Sequence, residues 1–327
     1  MKFKQWKTLQ KEKTVLKTTC EVGQSFPPVF DAQGCGIELA GWYQENKEMI
    51  LHELRTAGAV LFRRFNMTQL TDFEKFVSEA IGSTGKYIEG ATPRSAVSSS
   101  VYTSTEFPAD HEIALHNELS YVTTPPHMLS FYCVEAAEDG GQTQLADTRM
   151  VLSLLDPAVV AEFERRGGWS LIRNFGFGMG PAIAKSFGTD NPDELRDYCS
   201  RASIDILAMA DGRLKTKQVR SVVHAHPVSG EASWFNHVAF WHPSSLPKEM
   251  QETLAKSLEV SDFPFSTYYG DGTEIPTHVV EHIRQAYVKA ERKFDWKKGD
   301  VLLIDNWSVA HGRKPFKGAR KILVAMG

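Results

Sequence analysis

The chain has 327 residues, of which 42% are hydrophobic, 24% charged and 11% aromatic, the profile of a globular protein with a packed core rather than a disordered or fibrous one. Its 37 basic and 40 acidic residues give a net charge of −3 with no polybasic run, so it lacks the electrostatic footprint of a nucleic-acid or anionic-membrane binder. No apolar run reaches the length of a membrane span, no apolar stretch follows the charged start MKFKQWKTLQKEK as in a secretory signal, and Cys20, Cys35, Cys133 and Cys199 form no CxxC pair, so a cytoplasmic protein with free thiols is expected.

In chain order, residues 1–40 read as an arm or a pair of edge elements, because FPPVF at 26–30 places two prolines where a helix interior cannot hold them. A helix is expected through Trp42, Ile50, Leu51 and Leu54, with Gly58 as its stop, followed by a short buried strand from Ala59 to Phe62. Asp72 to Ile81 carries Phe73, Phe76, Val77 and Ile81 on one helical face. From 98 to 150 the texture turns to short β-type segments, VYTST, MLSFYCV and QTQLAD, between Pro and Gly breaks. Residues 151–166 read as helical with a break or a start at Pro157, and 191–200 as a further helical segment. Val279 to Lys293 is the clearest amphipathic helix, with Val279, Ile283, Ala286, Tyr287 and Ala290 on one side. Two strands, VLLID (301–305) and KILVAM (321–326), flank the loop WSVAHGRKPFKGAR. Regular strand–helix alternation is absent, which disfavours a doubly wound sheet, and FGFGMG at 175–180 lacks the spacing of a dinucleotide fingerprint.

The 11 histidines form no HExxH and no close His/Cys set. His224 and His226 share one face of a strand, yet they and the His237/His242 pair read more simply as ordinary polar side chains. His116-Asn117-Glu118 places an imidazole and a carboxylate together, two thirds of a facial triad for ferrous iron. About one such pair is expected by chance from 11 histidines and 40 acids, so its context decides. That context is His311, after an apolar strand, and Arg320, at the start of the returning strand. The turn at Pro315 and Gly318 would lay the two side by side across a hairpin. An arginine fork suits a carboxylate in a buried pocket.

The segments ATPRSAV (91–97), VYTSTEFP (101–108), IALHNELSY (113–121), FYC (131–133), GGQTQLADTR (140–149), HPVSGEASWFN (226–236) and the stretch 299–326 together resemble the clavaminate synthase-like branch of the TauD/TfdA family, the Fe(II)/2-oxoglutarate-dependent dioxygenases. The nearest flavour is that of amino-acid hydroxylases from nonribosomal peptide pathways. The resemblance implies an α+β fold with a mainly β core, a distorted double-stranded β-helix or jelly roll with surrounding helices, over a single domain spanning 1–327. It implies His116, Glu118 and His311 as ligands of Fe(II), and Thr143 and Arg320 as partners of 2-oxoglutarate, with O2 as the further co-substrate. The implied reaction is hydroxylation of an unactivated C–H of an amino acid or a derivative, free or tethered to a peptidyl carrier protein, with release of succinate and CO2. Glu118 fills the position that a halogenase of this class leaves open. Arg94, Glu106, Asn117, Asn236 and Arg313 are the candidate substrate contacts; the bland reading of the asparagines and Glu106 is turn or strand-edge hydrogen bonding. Val324 stands where some amino-acid oxygenases of the family carry a second arginine. The rival readings are desaturation or cyclisation at the same iron, a zinc hydrolase on the same ligands, and a cupin-like scaffold with a dead site. A hydrolase has no use for Thr143 and Arg320, and a dead site predicts ligand loss.

Overall fold

The computed structural model describes residues 14–21, 24–84, 87–91, 94–105, 107–176, 182–210, 212–256 and 258–327. Helices and strands are mixed, and the strands fall into sheets that the chain enters alternately. The largest sheet among the described residues has seven strands, in the order Leu16–Glu21, Gln24–Asp31, Ala59–Arg63, Val301–Asp305, Met128–Glu135, Lys321–Met326, Tyr102–Thr103. All its pairings are antiparallel except that between Gln24–Asp31 and Ala59–Arg63. A four-stranded antiparallel sheet is ordered Arg292–Phe294, Thr143–Asp147, Val309–Arg313, Ile113–His116. A second four-stranded sheet, Ile204–Ala210, Arg213–Arg220, Trp169–Phe175, Phe265–Tyr269, is inserted between Thr143–Asp147 and Arg292–Phe294 in sequence.

The apolar run VLLID is continuous because both faces of its sheet are covered. Leu302 and Ile304 join Leu129, Phe131, Ile322 and Val324 in a core that also takes Leu145, Phe294 and Val309 from the four-stranded sheet. Val301 and Leu303 point the other way, into a core with Phe62, Tyr132 and Leu323 and with Tyr43, Ile50 and Phe73 from the early helices. Burial of this kind contributes about 25 cal/mol per Å2 of apolar surface, the main favourable term in the fold. A further core under the helix Thr277–Ala290 gathers Val280, Ile283 and Ala286 with Trp169, Trp234 and Tyr121.

Several expected elements are cut differently. The first helix is two, Leu39–Glu45 and Lys47–Ala57, divided at Asn46, whose side-chain amide donates to Trp42 O (2.8 Å). Gly58 does end the second, in the left-handed region (φ 75°) with its N–H on Leu54 O. Pro157 opens a helix, Pro157–Arg165, capped by Asp156, after a separate helix Thr148–Leu154. The late helix stops at Ala290, and 292–294 pair as a strand instead. Residues 16–31, expected as arm or edge pair, form two strands of the seven-stranded sheet, with Val29 and Phe30 buried. FGFGMG lies outside the described residues from 177 onward. No helix among the described residues is long and apolar enough to cross a membrane.

The strand Val301–Asp305 is pinned at its start by a buried ion pair. Arg63 Nη2 and Nε donate to Asp300 Oδ2 and Oδ1 at 2.7 and 3.0 Å, and Lys297 N–H donates to Asp300 Oδ2 at 2.8 Å. Burial pushes the Asp300 carboxyl up from its ordinary range against the pull of Arg63. Breaking such a pair from one side strands a buried charge, so Asp300→Ala is expected to lower stability by about 3–5 kcal/mol, read as a fall in the urea midpoint.

Candidate active site

The four-stranded sheet sets His116 and His311 directly opposite each other on adjacent antiparallel strands, with ring centroids 4.6 Å apart. Glu118 lies just past the end of the strand Ile113–His116, at its mouth. Ligand atoms of His116, Glu118 and His311 lie within 4.8 Å of one another, the group among the described residues that could hold a metal ion. Glu118 and His311 are buried and His116 is half-buried.

Glu118 is placed by a clamp between segments almost two hundred residues apart. Its backbone N–H donates to Asn306 Oδ1 (2.7 Å), and Asn306 Nδ2 returns a hydrogen bond to Glu118 O (2.9 Å) and another to Pro126 O (2.8 Å). Asn117 Nδ2 donates to Asn306 O (2.7 Å). Asp305 holds the same turn, accepting from Trp307 N–H (3.0 Å) and lying 2.8 Å from His226 Nε2. A sheet-crossing loop is thereby locked to the strand end that bears the carboxylate.

The donor set suits a divalent metal. His116 Nδ1 sits 2.9 Å from Ala114 O, and a carbonyl only accepts, so Nδ1 carries the proton and Nε2 is left with its lone pair. Burial holds both imidazoles below the ordinary histidine range, His311 well below it, and neutral imidazole is the ligating form. His311 Nε2 is 3.7 Å from Glu118 Oε2. The same oxygen accepts from Arg94 Nη2 at 2.6 Å, so the carboxylate is shared with a buried guanidinium.

Next to the triad a pocket is lined by Phe131, Thr143, Arg313, Arg320 and Ile322. Its space of about 40 Å3 takes an ion, and a five-carbon keto acid needs side chains to yield. Arg320 can yield, because among the described residues its side chain donates only from Nε to Gly141 O (3.2 Å) and has no carboxylate partner. Burial draws its guanidinium down to about 10, Arg313 adding to the effect, so it stays charged at neutral pH. Gly141 has a φ of 70°, and a Cβ there would meet the Arg320 side chain at 3.1 Å, so the GGQT turn and the arginine need glycine at this point. Trp296 Nε1 donates to Thr143 Oγ1 (2.9 Å). An indole N–H is a donor only, which leaves the threonine proton for some other acceptor.

Arg320 and His311 do not face each other across a hairpin as expected. His311 belongs to the four-stranded sheet and Arg320 leads into the seven-stranded one, and they meet across the gap between sheets. Of the candidate substrate contacts, Arg94 lines the pocket. Arg313 also lines it but spends its donors on Phe107 O, Pro108 O and His111 O (3.0, 2.6 and 2.7 Å). Asn117 serves the clamp, and Asn236 bonds Val222 O and Val238 N–H (2.9 and 3.1 Å), turn roles in both cases. Glu106 lies outside the described residues. Val324 is fully buried in the inter-sheet core and offers no charge. His224 bonds Ser221 O, and His242 bonds Ser244 and Ile275 O, the ordinary polar roles expected. Sequence reasoning missed Trp296 and Ser120, whose Oγ lies 2.6 Å from Nδ1 of the buried His237; that imidazole ring is 5.5 Å from the ring of His116. No local motif distinguishes either.

The profile of the "Taurine catabolism dioxygenase TauD, TfdA family" matches residues 23–326. The chain belongs to the TauD/TfdA family. It is an Fe(II)- and 2-oxoglutarate-dependent dioxygenase, and its cofactor set is Fe(II), 2-oxoglutarate and O2. Among curated TauD/TfdA-like relatives it is 40% identical over 273 residues to the dapdiamide synthesis protein DdaC of Enterobacter agglomerans, covering 84% of this chain and 83% of that one. It is 28% identical over 290 residues to a clavaminate synthase-like protein of Arabidopsis thaliana, covering 85% and 83%. The crystal structure of PvcB from Pseudomonas aeruginosa shares the fold, with a TM-score of 0.54 at 16% identity over 91% of this chain and 84% of that one.

The clamp generates a test. Asn306→Ala is expected to weaken binding of Fe(II) or Mn(II) about 10- to 100-fold, the range for groups that orient ligands. Asn306→Asp keeps the acceptor for Glu118 N–H and loses the amide donors, so it is expected to fall in between. Calorimetric metal titration measures both, with circular dichroism to verify folding.

Proposed function

We propose that His116, Glu118 and His311 ligate ferrous iron, that Thr143 and Arg320 hold 2-oxoglutarate, and that the enzyme hydroxylates an unactivated C–H of an amino-acid-derived small molecule. The observation that carries this reading is the meeting, in one pocket, of two imidazoles that share a metal-sized group with the Glu118 carboxylate and of a charged arginine that has no carboxylate partner among the described residues. A distal carboxylate of the keto acid would supply the missing counter-charge to Arg320. The Thr143 hydroxyl, which accepts from Trp296 on one lone pair, would donate its proton to the same carboxylate. Bound iron supplies the centre at which 2-oxoglutarate and O2 react to succinate, CO2 and an oxidant able to take hydrogen from carbon. The chain's own part is to keep the imidazoles neutral, to fix the carboxylate by the Asn306 clamp, and to line the cleft with Phe131 and Phe240, whose rings lie 5.2 Å from His311 and 4.7 Å from His116 and exclude water.

Strand pairs that alternate between two facing sheets support the jelly-roll arrangement, on a single domain. Retention of Glu118 favours hydroxylation over halogenation. A zinc hydrolase on the same ligands is disfavoured, since it would leave Arg320 and Thr143 without purpose. No feature of the described site supports a peptidyl carrier protein as partner.

Anaerobic titration with Fe(II) and 2-oxoglutarate is expected to give a weak visible charge-transfer band that His116→Ala abolishes. Arg320→Ala should weaken the keto acid much more than the metal. Trp296→Phe and Thr143→Val should each weaken it about 2- to 10-fold, the value of a hydrogen bond, and should leave binding of 2-oxopentanoate, which lacks the distal carboxylate, unchanged. An unaltered band in the His116 and Arg320 variants overturns the assignment.

A further inference from the structure

A second cavity, of about 400 Å3, has Arg94 in its lining and none of His116, Glu118 and His311. Small-molecule sites run from about 300 to 1,000 Å3, so this one is of substrate size. Its walls include Tyr87, Tyr102 and Phe187, and its charged lining among the described residues is wholly basic, Arg94 and Lys185. Arg94 borders both this cavity and the pocket at the triad. Its side chain is 3% exposed, and its guanidinium carbon stands 4.9 Å from the centre of the Tyr87 ring. Among the described residues only Nη2 is used, on Glu118, and Nε and Nη1 are buried with no hydrogen-bond partner. Charged N–H groups kept dry and unmatched are costly, and an oxygen anion entering from the larger cavity would match them.

We propose that this cavity is the substrate chamber and that it takes a small carboxylate-bearing molecule with no free ammonium group, the carboxylate on Arg94 and Lys185 adding charge at the rim. An ammonium there would face two cations and no described carboxylate. An N-acylated amino acid fits that chemistry and a free amino acid does not. Tyr87, Tyr102 and Phe187 supply the apolar faces for the rest of the molecule. Because Arg94 also touches Glu118, a substrate held there lies beside the iron ligands. The proposal rests on the iron and 2-oxoglutarate reading above and narrows it to a substrate class.

The test is calorimetric binding to the anaerobic Fe(II)/2-oxoglutarate enzyme. The probes are N-acetyl-L-phenylalanine and N-acetyl-L-leucine, the two free amino acids, and the two N-acetyl amino-acid amides. The N-acetyl acids are expected to bind about tenfold or more tighter than their free or amide counterparts, as for a charge-assisted hydrogen bond. Lys185→Glu should weaken the acids about fivefold or more without weakening the amides. A free amino acid or an amide binding as tightly as its acid overturns the proposal, as does indifference of the acids to Lys185→Glu. Failure of both acids to bind at about 10 mM, weaker than any ordinary substrate constant, also counts against it. If the visible band with 2-oxoglutarate alone does not form, the iron reading fails; if it forms and the probes break the stated order, only this proposal fails.

Discussion

The site depends on one set of reciprocal hydrogen bonds. Asn306 accepts from the backbone of Glu118 and donates back to it, while Asn117 donates to the backbone of Asn306. Each partner satisfies a buried polar group of the other, so neither segment can shift without leaving donors or acceptors dry, which costs about 1–3 kcal/mol per group. The loop that follows Val301–Asp305 therefore has a fixed relation to the end of Ile113–His116, and Val309–Arg313 leaves that loop already aligned to set His311 against His116. A backbone frame fixed in this way favours the proposed metal-binding role over a chance cluster of titratable groups.

Around that frame the charges are unevenly matched, and the unevenness has a direction. Arg63 and Asp300 pair fully, deep in the structural part of the fold. Arg313 gives both terminal nitrogens to three carbonyls and leaves only Nε unmatched among the described residues. Arg320 and Arg94, which border the cavities, keep donors free. A protein gains nothing in stability from a buried guanidinium with unused N–H groups. Arg94 and Arg320, with the most donors unmatched, sit where small anions would enter, whereas Arg63 and Arg313 spend most of theirs holding chain segments together.

Much of the fold was legible because burial leaves a period. VLLID and KILVAM read as strands, and Val279, Ile283, Ala286, Tyr287 and Ala290 read as a helix face, because their side chains meet cores on known sides. What the period does not carry is which sheet a strand joins. The hairpin expected between His311 and Arg320 fails for that reason: both flanking strands are apolar, but the chain crosses from one sheet to the other between them. Breaks at Asn46 and before Pro157 were half visible, the proline as a signal and the asparagine not. Within the site, the triad and the glycine pair before Thr143 stood out only through their family context. Trp296 carried no signal at all, since its role is a single long-range hydrogen bond across 153 positions.

One oxygen links the chemistry to the recognition. Glu118 Oε2 lies 2.6 Å from Arg94 Nη2 and 3.7 Å from His311 Nε2, so the oxygen beside one imidazole of the proposed metal group also anchors the arginine that borders the larger cavity. A guanidinium withdraws charge from a carboxylate, and it does so less when its remaining donors turn to a second anion. Whatever occupied those donors would then be felt at this oxygen through one side chain, with no movement of the backbone frame. Burial strengthens this coupling, because a low-dielectric setting screens neither contact. The carboxylate is thus held by geometry from the Asn306 side and by charge from the Arg94 side, and only the second hold is open to an arriving molecule.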